Sequence, residues 1–198
     1  MLVTATGSPG GPRLVRALRE NGERELTVIG TDISDGSAGR FLCDAFHVVP
    51  RGDDPAYAET LAALAEREGV DCVLPTSSSE VLSLAEGREH FAMPLLVAAA
   101  DGIARCQDKA ATVEAALRAG VPVPETHLAR TPGELRAAAE QLGYPERDVC
   151  MTPPTAKGSR GFRILSANVD RRFALLEARP GPLPLSVDEA LEAIGPDD

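Results

Sequence analysis

Met1-Leu2-Val3-Thr4-Ala5-Thr6-Gly7-Ser8-Pro9-Gly10-Gly11-Pro12-Arg13-Leu14-Val15-Arg16-Ala17-Leu18-Arg19-Glu20-Asn21 opens the chain and decides how the rest is read. Residues 1–6 are apolar and β-branched, the composition of a short strand. Residues 7–11 carry glycines that permit a tight turn. Leu14, Val15 and Leu18 then fall on one helical stripe and Gly22 fits a C-terminal cap, so the segment predicts strand, glycine turn, helix. The alternation continues. Residues 26–31 read as a second strand ending at Asp32, 45–49 as a third closed by Pro50, 70–74 as a fourth and 94–98 as a fifth. Asp54-Pro55 supplies an N-cap and a first-turn proline for a helix over 56–68 that stops at Gly69, and another helix lies between the last two strands. Apolar strands alternating with helices predict an α/β domain over residues 1–105, with a Rossmann-like, mostly parallel sheet covered on both faces.

Residues 106–198 predict a second, smaller α+β unit. A helix over 108–119 begins at Asp108 and closes at Gly120, and Val121-Pro122-Val123-Pro124 is an extended linker. Thr131-Pro132-Gly133-Glu134 is a capping box opening a helix to residue 142. Val149-Cys150-Met151 and Phe162-Arg163-Ile164-Leu165 then flank the loop Pro153-Pro154-Thr155-Ala156-Lys157-Gly158-Ser159-Arg160-Gly161. Two glycines, a hydroxyl and two cations in a hairpin loop can turn N–H groups and positive heads toward a nucleotide phosphate. The alternative is a surface hairpin whose glycines only serve a positive φ. A helix follows over 169–178, a break at Gly181-Pro182-Leu183-Pro184, and a last helix capped by Ser186 and Glu189.

The net charge of −10 disfavours a nucleic-acid or anionic-membrane partner. Cys43, Cys72, Cys106 and Cys150 form no C-x-x-C pair, and His47, His90 and His127 are dispersed, so no metal site is read. Cys72 and Cys150 lie in apolar runs and read as small buried hydrophobes. With no membrane-length apolar stretch and no basic leader, the expectation is a cytoplasmic protein.

Three places invite chemistry. Gly7, Gly10 and Gly11 with Asp32 suggest dinucleotide binding, but Pro9 stands where the fingerprint needs glycine. Asp32 then reads as a strand-end turn residue or a polar group at the crevice. Pro75-Thr76-Ser77-Ser78-Ser79-Glu80 follows the fourth strand at the same sheet edge, where its hydroxyls and helix N-terminus suit a small anionic substrate; Ser77 and Glu80 equally fit a capping box. Lys109, in the first turn of a helix, opposes the dipole at about 0.3–1 kcal/mol, which points to a neighbouring anion or to a solvated lysine.

Taken in order, VTATGSPGG, VIGTDIS, VLPTSSSE, CQDKAAT, GVPVPET and KGSRGFRIL resemble the front of an ATP-grasp enzyme, especially relatives of the carbamoyl phosphate synthase large subunit and biotin carboxylase. The resemblance implies a pre-ATP-grasp domain followed by the N-terminal ATP-grasp lobe. It implies ATP and Mg as cofactors and a small carboxylate substrate activated as an acyl phosphate. Lys109, Lys157, Gly158, Ser159, Arg160 and Gly161 would meet ATP, and Gly10, Gly11, Asp32, Ser77 and Glu80 would line the substrate crevice. Two departures stand out. Thr152 before Pro153 replaces a lysine that reaches the nucleotide, with Lys157 as a substitute from the loop. The second lobe, where the resemblance places the Mg ligands, does not follow Asp198. The expectation is a truncated, split or degenerate ligase, active only with a complementary lobe, or a non-catalytic binding module. An apolar surface facing the absent lobe would favour self-association.

Overall fold

The computed structural model describes residues 1–156, 158, 160–176 and 184–195. They form two compact units, Met1–Ala104 and Arg105–Asp198.

In the first unit, β1 (Leu2–Val3), β2 (Ile29–Asp32), β3 (Ala45–Val48) and β4 (Val73–Leu74) make a four-stranded sheet of order β3-β2-β1-β4. All three strand pairings are parallel. The order turns outward on both sides of β1, the topology that opens a crevice at the carboxyl ends of the strands. The fifth strand is only a bridge: Leu95 registers with Val73, and the chain then turns, with the Val97 N–H donating to the Leu95 carbonyl at 2.9 Å.

Strand pleating explains the coverage. Leu2 belongs to one core with Ile29, Val73 and Tyr57, Leu61 and Leu64 of α2 (Tyr57–Arg67). Its neighbour Val3 belongs to another, with Val28 and Val15 of α1 (Gly11–Arg19). Successive residues of one strand thus serve opposite faces, and each fully buried leucine is worth about 1.5–3 kcal/mol. Asp54 caps a turn rather than the helix itself: its Oδ1 accepts the Ala56 N–H at 2.8 Å, and α2 begins at Tyr57. The unit continues with α3 (Val81–Glu86), and the division between the two units falls within α4 (Ala100–Gln107).

In the second unit, Asp108 caps α5 (Lys109–Arg118) by accepting the Ala110 and Ala111 N–H groups. α6 (Pro132–Gln141) is capped by Thr131, whose Oγ1 accepts the Glu134 N–H. The Glu134 carboxylate reaches the Arg130 N–H, one residue before the partner expected for a capping box. β5 (Val149–Met151) and β6 (Arg163–Leu165) pair antiparallel. Leu165 and Val149 pack with Ala139 of α6 and with Val187 and Ala190 of α8 (Val187–Ile194). Between them lies α7 (Arg171–Leu176); the end of the expected 169–178 helix and the break at 181–183 fall outside the described residues. Cys150 corrects the reading of a buried thiol. It is exposed because it alternates with buried Val149 in a two-stranded sheet, while Cys72 is half-buried.

Candidate functional sites

A cleft of about 260 Å³ lies at the carboxyl edge of the sheet, lined among others by Gly7, Ser8, Asp32, Tyr57, Ser77 and Glu80. Asp32 ties the glycine turn to the end of β2, its Oδ2 accepting the Gly7 N–H at 2.7 Å and its Oδ1 the Ile33 N–H at 2.8 Å. A side chain on Gly7 would meet Asp32 Oδ2 and Ser37 Oγ within 2.8 Å, which explains a glycine there. The turn presents Gly7 and Ser8 to the cleft. Gly10 and Gly11, expected at the crevice, are not among its lining residues: Gly11 is buried at the start of α1, where a Cβ would come 2.3 Å from the Thr6 carbonyl oxygen, and Gly10 is exposed.

Glu80 is buried, and its carboxylate is engaged by the chain itself. Oε1 accepts Thr4 Oγ1 at 2.6 Å, the Thr76 N–H at 3.1 Å and the Ser77 N–H at 2.9 Å; Oε2 accepts the Tyr57 hydroxyl at 2.5 Å. The place where a small anionic substrate was expected, on the N–H groups following β4, therefore holds the protein's own carboxylate. Only half of the capping box forms, because Ser77 Oγ accepts from the Ser79 N–H instead of the Glu80 N–H. Burial first, then the Glu80 charge, pushes the Tyr57 hydroxyl far above the usual phenol range, so it stays a hydrogen-bond donor. Ser77 is half-buried and Ser79 exposed at the cleft. No Lys, Arg or His is among the lining residues.

The second unit has a larger cavity, about 500 Å³, bordered by both stems of the glycine loop through Met151, Thr152, Pro153, Gly161 and Arg163, and by Leu135 of α6. Lys109 lies beneath the loop. Its Nζ donates to the carbonyls of Pro153 at 2.9 Å, Pro154 at 3.3 Å and Ala156 at 2.9 Å, and its backbone N–H donates to Pro154 at 3.0 Å. Gly158 and Gly161 adopt φ of +62° and +73°, and Gly158 and Arg160 are exposed. A Cβ on Gly161 would come 2.6 Å from Pro153 Cγ, so this glycine lets the two stems close on each other. Lys157 and Ser159 lie outside the described residues. Thr152 is exposed at the strand end and offers no charge.

The size and mostly apolar walls of this cavity fit a nucleotide base. Among the described residues no group of three or more acidic, histidine or cysteine side chains is placed to hold a metal ion. Likewise, no helix among the described residues is long and apolar enough to cross a membrane.

Sequence reasoning missed two parts of these sites. The Tyr57–Glu80 bond joins residues 23 apart, and the bonds from Lys109 to the loop span 44 to 47 residues; no local pattern carries either. The only local signal was the buried acid's place directly after three serines, which read as a cap.

Comparison with known proteins gives these two units a context. Residues 1–96 match the model of the PylC-like N-terminal domain. The carbamoyl phosphate synthase large chain of Rubrobacter xylanophilus is 30% identical over 142 residues, covering 68% of this chain and 13% of that protein. That of Archaeoglobus fulgidus is 27% identical over 161 residues, covering 78% and 14%. The chain therefore spans about one seventh of the length of these relatives. Among solved structures, N5-carboxyaminoimidazole ribonucleotide synthetase from Thermus thermophilus superposes with a TM-score of 0.61 at 20% identity, over 98% of this chain and 44% of that one. The ADP complex of purK, the same type of synthetase, gives 0.61 at 19% identity over 84% and 40%. The fold is thus the one found at the front of ATP-grasp enzymes. More narrowly, residues 1–96 resemble a PylC-like N-terminal domain, and the chain is similar in sequence to no more than about one seventh of the length of the carbamoyl phosphate synthase large chains.

Proposed function

We propose that this chain supplies part of the ATP site of an ATP-grasp protein that ligates a carboxylate to an amine. The observation that carries the reading is the cavity of about 500 Å³ in the second unit, with an apolar floor and both stems of the glycine loop as its rim. An adenine ring would occupy the apolar part, where burial of its faces favours binding. The phosphates would extend toward Gly158, Arg160 and Gly161, where exposed N–H groups and the guanidinium offset their charge. Bound ATP supplies the phosphoryl group that activates a carboxylate. The chain's own residues hold the base, screen the phosphates and exclude water. The relatives support nucleotide as the ligand: one matched structure is an ADP complex. Lys157 and Ser159 join the loop's contribution as part of this proposal, as do Asp32, Ser77 and Glu80 as the frame of a substrate crevice in the first unit. Magnesium would be held by a complementary lobe.

Isothermal titration with ATP and magnesium, with NAD as the control, tests the reading. Saturable ATP binding is expected, weakened several-fold by Arg160→Ala, and 8-azido-ATP should label peptides from 126–165. Absence of ATP heat together with labelling confined to residues 1–104 would refute it. A second reading, a binding module without catalysis, draws on the exposed Thr152, which leaves the strand end uncharged. It predicts ATP binding with no ATP hydrolysis in the presence of any carboxylate.

A further inference from the structure

We infer that the cleft at the carboxyl edge of the first unit's sheet takes a small primary alkylammonium, held by Asp32, and not the anion its serines suggest. The inference rests on the ligase reading only where it names this ligand as the amine to be joined. An anion finds its donors already used. The Gly7 and Ile33 N–H groups go to Asp32, and the Ser77 N–H and the Tyr57 hydroxyl go to Glu80. Two carboxylates border the cleft and no lining residue is a cation. Arg51, between the lining residues Pro50 and Gly52, gives its guanidinium to Asp53 at 3.0 and 3.1 Å. The field in the cleft therefore favours a positive ligand.

Asp32 is the carboxylate with room for it. It is half-buried, and none of the ion pairs among the described residues includes it. Each of its oxygens accepts one N–H, from Gly7 at 2.7 Å and from Ile33 at 2.8 Å, which leaves a lone-pair position open on each. A second unused group lies beside it. The hydroxyl of Ser37, a residue 8% exposed, is buried without a partner. Ser37 Oγ and Asp32 Oδ2 both face the space that a Cβ on Gly7 would fill, at 2.4 and 2.8 Å from that position. An ammonium carries three donors, enough for Asp32 and for this hydroxyl. The other lining residues include Ile33, Val49 and Pro50, apolar surfaces for a short alkyl chain. At about 260 Å³ the cleft lies below the roughly 300–1,000 Å³ of drug-sized sites, so the ligand is a small one. Asp32 is then a specificity-determining residue that selects the charge of the ligand's head group.

The test uses three probes of one shape, n-butylamine, n-butanol and butyrate, titrated into the full chain without nucleotide and followed by amide chemical shifts in NMR. The Gly7 and Ile33 amides report directly, because both donate to the Asp32 carboxylate. At neutral pH the amine is protonated. It should shift both amides saturably, with an affinity about tenfold or more above that of butanol, and butyrate should leave both unmoved. Asp32→Asn keeps the shape and removes the charge. In that variant amine and butanol should bind within about twofold of each other, a change that a purely structural role of Asp32 does not produce. Thermal unfolding checks that the variant folds; if it does not, the three probes on the wild type decide alone. Equal binding of amine and butanol to the wild type would overturn the inference, as would butyrate binding more tightly than the amine. An amine preference that survives Asp32→Asn, no saturable amine response, or a response that spares Gly7 and Ile33 would overturn it too. ATP titrated separately decides the nucleotide reading: without ATP binding, the cleft's preference for an amine stands and only the naming of that amine as the one to be joined falls.

Discussion

Replacing Glu80 tests whether the first unit is held together at its crevice by a carboxylate rather than by apolar burial alone. Four donors converge on this side chain: the hydroxyls of Thr4 and Tyr57 and the N–H groups of Thr76 and Ser77. Glu80→Ala removes the acceptor these donors share, although the Thr76 N–H keeps Thr4 Oγ1 at 3.2 Å. The Ser77 N–H is only half-buried and regains water through the cleft, but the hydroxyls of Thr4 and Tyr57, residues 0% and 2% exposed, cannot. Each unsatisfied buried group costs about 1–3 kcal/mol. Together with the lost side-chain packing, the expected destabilisation is about 3–5 kcal/mol, in the range for breaking a buried charged network. Glu80→Gln is milder, about 1–2 kcal/mol, because the amide oxygen serves Thr4, Thr76 and Ser77 while the Tyr57 hydroxyl rotates to accept from the amide nitrogen. Urea unfolding followed by far-UV circular dichroism measures both, and amide exchange at 2–6 and 57–67 assigns the loss to the first unit. A Glu80→Ala protein within about 1 kcal/mol of wild type would refute the reasoning; so would a Glu80→Gln protein as unstable as Glu80→Ala, since acceptor geometry would then count for nothing.

The Tyr57 hydroxyl has its pKa raised by burial and by Glu80, so it keeps its proton in the folded state when the unfolded chain loses it. Its contribution is therefore complete below the unfolded value of about 10 and is lost as pH rises beyond it; Tyr57→Phe should flatten that alkaline decline in a pH series of unfolding curves. Gly11→Ala drives a methyl group onto the Thr6 backbone and should cost about 2 kcal/mol or more, whereas Gly10→Ala enters open space and should stay within about 0.5 kcal/mol of wild type by thermal unfolding. Ser186→Ala removes one arm of a complete capping box at α8 and should cost about 1 kcal/mol, read as faster exchange across 187–190.

What the sequence made legible follows from how far apart the cooperating residues lie. The strand, turn and helix of residues 1–21 could be read because Leu14, Val15 and Leu18 mark the helix locally, and Val15 is indeed fully buried. The parallel sheet followed from repetition of that unit. α4 was not legible: none of its residues is buried, and Gly102 sits within it, so it shows neither an apolar stripe nor good propensity. The fifth strand was over-read because apolar composition over 94–98 says nothing about the turn at Val97. Thr131 was recognised as a cap, since a hydroxyl three residues before Glu134 is a local signal; the partner that Glu134 chose was not, because Arg130 and Thr131 both offer an N–H within its reach.

The residues expected to hold ligands show the sharper limit. Glu80 and Lys109 were singled out for their charge, and in both the charge is engaged by the chain's own polar groups. An acid beside a row of N–H groups and a lysine below a loop look the same in sequence whether their partner is a ligand or the protein itself. Counting donors and acceptors separates the cases. Glu80 receives four donors, two of them from buried hydroxyls that no water reaches, so a ligand there has no vacancy to fill. Lys109 is different: its acceptors are carbonyls of a largely exposed stem, which water can solvate once the ammonium leaves. A carboxylate locked into a core by buried donors is structural, whereas an ammonium held on exposed carbonyls keeps partners that water can replace.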